Sequence, residues 1–225
     1  MQWCSGADAY SGAVTDWARF LPLSNRNGDD EGTVSRDRSP AVAELLFAIA
    51  TALNAEPTLL TSPTLRPGVS GDAAIREVLS ELRAPWWRRW AISVGAVEVP
   101  RPEVAAIPAA DLSGALRACA GTLAQPGVRA GIRDLGSVLV LALDLQAAHE
   151  LAFDVDPILC GAVALDLALR SRMPQRSVVT ARTFVAVDGG WQVGRGPQLQ
   201  ASAASIVLFL AGRGDLPPEA PTSAS

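Results

Sequence analysis

The sequence predicts a mainly α-helical bundle with a small α/β addition at its carboxyl end. Three observations carry this reading. Gly131–Phe153 (GIRDLGSVLVLALDLQAAHELAF) reads as one helix whose middle, Val138–Leu145, is apolar except for Asp144. A helix with apolar residues nearly all round is surrounded by other helices, and its one carboxylate should be hydrogen-bonded or paired. Shorter segments on both sides repeat apolar residues at three- and four-residue spacing. Strand signals, by contrast, are confined to one stretch near the carboxyl end, divided by Asp188-Gly189-Gly190. The organisation expected is a poorly ordered extension over 1–38, a helical bundle over 39–175, a hairpin-plus-helix module over 176–214 and a disordered tail over 215–225.

At 225 residues the chain can bury a sizeable core without staples. A formal charge of −4 gives no electrostatic reason to expect nucleic acid. All basic residues are Arg, scattered except at Arg88-Arg89. No apolar run is long enough to span a membrane, so no membrane partner is expected. The amino end lacks a basic region followed by an apolar stretch and a processing site, which makes a cytoplasmic location the expectation. Cys4, Cys119 and Cys160 are odd in number and form no CxxC pattern; Cys119 and Cys160 read as buried spectators.

Asn25–Arg38 is too polar to offset its own ordering, although Trp3, Trp17 and Phe20 precede it. Ser39-Pro40 has the form of a cap followed by a first-turn proline. The helix that follows carries the stripe Leu45, Leu46, Ile49 and Leu53. Pro57, Pro63 and Pro67-Gly68 mark an irregular connection. Ser70 then caps a second helix with Asp72 in its first turn and Ile75, Val78, Leu79 and Leu82 on one face. Glu77 and Glu81 fall on the opposite, polar side beside Arg76, where Glu77 by itself reads as a solvated charge. Trp86-Trp87-Arg88-Arg89-Trp90 is either a stacking surface or an amphipathic plug, the plug being favoured. After a long connection over Ile92–Pro108, Asp111 or Ser113 caps a helix through Leu116, Cys119 and Leu123, ended by Gln125-Pro126-Gly127.

Beyond the central helix, His149 is the only histidine and reads as a local hydrogen-bonding or capping group. Asp156-Pro157 again has the form of a cap and first-turn proline, opening a helix that uses Ile158, Leu159, Val163, Leu165 and Leu169. Met173-Pro174 closes the bundle. Val178–Val187 has strand composition, the hairpin leads into Trp191-Gln192-Val193, and Leu199 contributes a third short strand before a helix over Ala203–Ala211 that ends at Gly212. Gly194-Arg195-Gly196 is too short and wrongly placed for a phosphate loop.

Three stretches carry a family resemblance. Pro63-Thr64-Leu65-Arg66-Pro67-Gly68-Val69-Ser70 is similar to the pattern P-T-x-x-P-G-W-[ST]. Val140–Leu145 followed by Phe153-Asp154-Val155-Asp156-Pro157 is similar to V-H-x-W-D-L … [FL]-D-x-D-P. Ala204–Arg213 loosely resembles L-x-x-W-L-x-G-R, without its Trp. Together they resemble the actinobacterial mycothiol-dependent maleylpyruvate isomerase family over roughly Pro40–Arg213. The resemblance implies a DinB-like four-helix bundle as the main domain.

The same resemblance implies a divalent metal held by a His on the second helix and by a Glu and a His four residues apart on the central helix. Residues at i and i+4 share a helix face and can meet a third ligand from a facing helix. Carried over position by position, the three ligands fall on Glu77, Ser137 and Leu141. Only Glu77 is a strong donor, and Leu141 cannot bind at all. Val69 and Leu143 stand where the family has Trp, while Asp144 is kept and suits a structural hydrogen-bonding role. The expectation is a non-catalytic descendant with no metal and no cofactor, whose cleft serves a small apolar ligand or a protein partner. The alternative is a metal- or thiol-dependent isomerase or transferase with a relocated site built from Glu77, Asp144 and His149.

Overall fold

The computed structural model describes residues 37–84, 102–214 and 217–218. Most of the expected amino-terminal extension, the Trp86–Trp90 stretch and nearly all of the expected tail lie outside them. The described residues form eight α-helices and one three-stranded sheet: α1 (Ser39–Ala55), α2 (Gly71–Leu82), α3 (Pro102–Ala105), α4 (Leu112–Leu123), α5 (Ile132–His149), α6 (Pro157–Arg170), α7 (Gln175–Ala181), β1 (Thr183–Ala186), β2 (Gln192–Gly194), β3 (Gln198–Ala201) and α8 (Ala203–Leu210). The fold is a mainly helical bundle with a small carboxyl-terminal sheet-and-helix addition, as the patterning predicts. None of the described helices is long and apolar enough to cross a membrane.

Helix α5 is the axis. It packs against α1, α2, α6 and α8, which explains why every residue from Val138 to Leu145 is buried. Gly136 faces Val163 of α6 at an ordinary packing distance: a Cβ there would lie 3.7 Å from its side chain. The helix is shorter than expected. It stops at His149 because Glu150 takes left-handed torsions, φ 55° and ψ 28°, so residues 150–153 do not continue it. Its amino end is closed by the backbone N–H of Gly131 donating to Asp134 Oδ2 at 2.9 Å.

Helix α1 lies mainly on α4 and α5, with Leu45, Leu46, Ile49 and Leu53 inside as their spacing requires. Ser39 does not cap it. Its hydroxyl donates to Val128 O at 3.2 Å and accepts from Ala130 N at 2.7 Å, tying α1 to the strand of chain before α5. Asp37 takes the Ser39 N–H instead, at 2.9 Å. Asp111 occupies the expected position before α4 but makes no side-chain cap bond. The caps at α2 and α6 hold: Ser70 accepts from Ala73 N and Asp156 from Ile158 N. Gly71 is dictated by packing, because a Cβ there would lie 2.1 Å from Leu59 O.

Two expectations fail in the last third of the chain. Of the stripe expected on α6, Val163 is buried and Leu159 and Leu165 pack against the core, but Cys160 and Ala164 complete that face and Ile158 and Leu169 are left 59% and 79% exposed. The strand expected over Val178–Val187 is α7 up to Ala181 and a strand only from Thr183. β1 is the middle strand, antiparallel to β2 and parallel to β3. Phe184 on β1 is fully buried and meets Phe209 of α8 at 5.4 Å between ring centroids. Trp191 anchors the hairpin to α6: its indole N–H donates to Pro157 O at 2.8 Å. The ring lies so close to Gly161 and Gly189 that a Cβ on either would fall within 2.8 Å of it.

Candidate functional site

A cleft of about 350 Å³ opens between α2, α5 and the ends of α6 and α8. It is built by three separate local structures. The first is the turn before α2. Thr64 closes it by donating N–H and Oγ to Val69 O at 2.9 and 3.0 Å, and Gly68 at φ 75° reverses the chain. The second is the face of α5 that carries Arg133, Ser137, Leu141 and Asp144, positions three or four residues apart. The third is the end of α8. There Gly212 N–H donates to Phe209 O and Arg213 N–H to Leu208 O, each at 2.9 Å, with Gly212 at φ 70°. This left-handed stop is what turns Arg213 back toward the cleft.

Asp144 joins the three. Its side chain is 2% exposed. Oδ1 accepts the backbone N–H of Leu65 at 2.6 Å, fixing the entry turn to the central helix. Oδ2 lies 3.1 Å from Arg213 Nε, an ion pair whose angle is poor for a hydrogen bond. Burial pulls the Arg213 pKa below its ordinary value; Asp144 opposes that and nearby Arg66 reinforces it. The expected paired carboxylate on an otherwise apolar helix is thus found.

Next to Leu65, Arg66 turns its guanidinium onto Glu77. Nη1 donates to Oε1 at 3.1 Å, and Nη2 donates to Oε2. This fork-on-fork pairing raises the Arg66 pKa above its ordinary value, Glu77 being the largest cause, with Asp144 and Glu81 adding to it. One turn further along α2, Glu81 accepts the Ser137 hydroxyl at 2.6 Å. The polar side of α2 is therefore a cleft wall. Glu77 is not the freely solvated charge that its helical position suggests when read without a partner element.

Glu77, Ser137 and Leu141 do line one cleft, as the carried-over positions require. Their chemistry does not fit a metal. Leu141 offers hydrocarbon and is 3% exposed. Ser137 is turned to Glu81, and both oxygens of Glu77 face a guanidinium. Among the described residues no group of three or more His, Cys, Asp or Glu side chains is placed to hold an ion. Of the relocated set, Glu77 and Asp144 face the cleft, while His149 is not among the residues lining it. His149 is the basic residue of the last turn of α5, as a capping role would place it, and its Nε2 is buried without a hydrogen-bond partner.

The residues that sequence reasoning passed over are Arg66, Glu81 and Arg213. Arg66 sits at an unspecified position of the entry-turn pattern, while Arg213 was visible as the closing Arg of the last pattern but without a partner assigned to it. A charge beside each of two turns that flank a polar helix face was the available signal.

No family model matches the sequence, and no curated protein matches it. Solved structures do. The crystal structure of the mycothiol-dependent maleylpyruvate isomerase aligns with a TM-score of 0.50 at 15% identity, over 84% of this chain and 97% of that one. A point mutant of the same enzyme aligns at 0.49 and 16% identity, with the same coverage of both chains. The fold is shared. At this identity the likeness to the isomerase extends to the architecture, while the cleft has to be read from its own residues.

Proposed function

We propose that the chain is a divergent, non-catalytic member of the maleylpyruvate isomerase-like group whose cleft binds a small molecule without a metal. The observation that carries this reading is the side-chain set at positions 77, 137 and 141. The three positions still converge on one cavity, yet they present an ion-paired carboxylate, a hydroxyl turned to Glu81 and a hydrocarbon. A site with an open coordination position needs three strong donors, and two are gone.

A small ligand suits the cleft better than a protein partner. Its concave volume of about 350 Å³ is at the small end of ligand sites. Val78, Val140, Leu141 and Leu167 supply an apolar wall for a ligand's body, and the charged groups opposite supply orientation. Metal analysis of protein purified without chelator, combined with a turnover assay on maleylpyruvate with mycothiol and added zinc, tests the proposal. Well under one divalent ion per chain and no turnover above the uncatalysed rate are expected. One tightly held zinc or nickel per chain, or zinc-dependent turnover, rejects it.

A further inference from the structure

We infer that Arg66 is the cleft's built-in counter-charge: its guanidinium takes up the Glu77 carboxylate and bars divalent metal from the cleft even where donors are supplied. The inference rests on the metal-free reading and goes beyond it, because absent donors at 137 and 141 do not say what neutralises the carboxylate that remains.

Both Glu77 oxygens are engaged, one by each terminal nitrogen of Arg66. A bidentate guanidinium occupies the carboxylate edge that a metal would need, and it is always charged. The Arg66 backbone is also held in place. Its own N–H donates to Thr64 Oγ1 at 3.2 Å, and the preceding N–H is bound by Asp144. Arg66 Nε is buried while the side chain as a whole is 28% exposed, so the charged head lies against the cleft wall with part of its surface open to solvent. A fixed positive charge at the ligand-bearing carboxylate repels a dication directly, and the effect is large where solvent access is partial. The cleft is lined by Arg66, Arg133, Arg170 and Arg213 against Glu77, Glu81, Asp134 and Asp144, so its formal charges balance without a metal cation.

The test restores the donors and varies Arg66 in the full chain. Ser137→Glu with Leu141→His is made alone, and again with Arg66→Gln, Arg66→Met or Arg66→Lys. Zinc chloride is titrated calorimetrically into variants whose circular dichroism matches the parent. The Gln and Met variants are expected to bind zinc at least about tenfold tighter than the donor pair alone or the Lys variant. Either uncharged substitution suffices if the other does not fold. Equal affinities across the set, at any level including none, overturn the inference. Should the donor pair itself not fold, Leu141→His alone, which sets an imidazole beside Glu77, is compared with and without Arg66→Gln by Mn²⁺ broadening of the Val78 and Val140 methyl resonances. Broadening confined to the chain carrying Arg66→Gln is expected, and no difference overturns the inference. Stoichiometric zinc on the wild-type chain would instead remove the functional proposal on which it rests, so the two failures are distinguishable.

Discussion

Asp144→Ala is the perturbation whose cost follows most directly from the geometry. The substitution deletes the acceptor for Leu65 N–H and strands the Arg213 guanidinium, whose side chain is 18% exposed. A hydrogen bond to a charged acceptor contributes about 1.5–3 kcal/mol. Breaking one side of a buried ion pair costs about 3–5 kcal/mol. The two overlap because one carboxylate makes both contacts, and Arg213 retains some access to water, so about 3 kcal/mol is expected. For a domain of this size that lowers Tm by about 6–12 °C. Asp144→Asn keeps an oxygen for Leu65 N–H and should lose about half as much. Urea titration followed by circular dichroism at pH 7 reads the effect as a lower midpoint at unchanged slope. In a double-mutant cycle with Arg213→Ala, the paired substitution should cost less than the two single losses added together. A loss below about 1 kcal/mol for Asp144→Ala, the range of exposed pairs, would refute the role of this carboxylate in joining entry turn, central helix and carboxyl-terminal arginine.

Other consequences are as specific. Burial pushes the Cys160 thiol up to about 12, with Asp188 and Asp156 adding to it, so iodoacetamide at pH 8 followed by peptide mapping should leave Cys160 unmodified until the chain is unfolded. Because its folded pKa is raised, the neutral thiol's contribution to stability is fully present below the ordinary thiol range. That contribution is lost as pH climbs toward about 12, and the Cys160→Ala variant should show a shallower alkaline loss in melting experiments. Gly71→Ala places a methyl 2.1 Å from Leu59 O and should lower stability by at least about 1–3 kcal/mol in denaturant titration. Ser39→Ala removes both hydroxyl bonds from α1 to the chain before α5, leaving the Arg38 N–H to Ala130 O bond, and should cost about 1–2 kcal/mol, a larger loss than truncating exposed Ser177.

Much of the fold was legible because its signals are local and unopposed. The proline-led helix starts at Pro40 and Pro157, the Asp188-Gly189-Gly190 turn and the Gly212 stop each follow from backbone chemistry that tertiary contacts did not need to override. The all-round apolar stretch of α5 announced its four helical neighbours in the same way. Other features depend on what lies opposite. Ser39 has cap chemistry, yet a backbone segment 89 residues away claims its hydroxyl. Val178–Ala181 has strand composition, but it lies in a short helix next to β2. Ile158 and Leu169 match a helical stripe and still face outward, since α6 is covered through Cys160, Val163 and Ala164.

The cleft divides along the same line. Its positions were legible, since Glu77, Ser137 and Leu141 do come together. Its electrostatics were not. A carboxylate on the polar side of an amphipathic helix looks solvated until a turn from elsewhere in the chain brings Arg66 onto it. Arg213 likewise reaches Asp144 only because the carboxyl-terminal module folds back beside α5 and α6.

Crystals grown with excess zinc chloride and measured on both sides of the zinc absorption edge put the ion chemistry of this cleft to its most direct test. The expected anomalous map is featureless around Glu77, with the Arg66 guanidinium still seated on that carboxylate. A peak at coordination distance from Glu77, with Glu81, Ser137 or Asp144 turned toward it and Arg66 displaced, would contradict both the metal-free cleft and the charge assigned to hold it so.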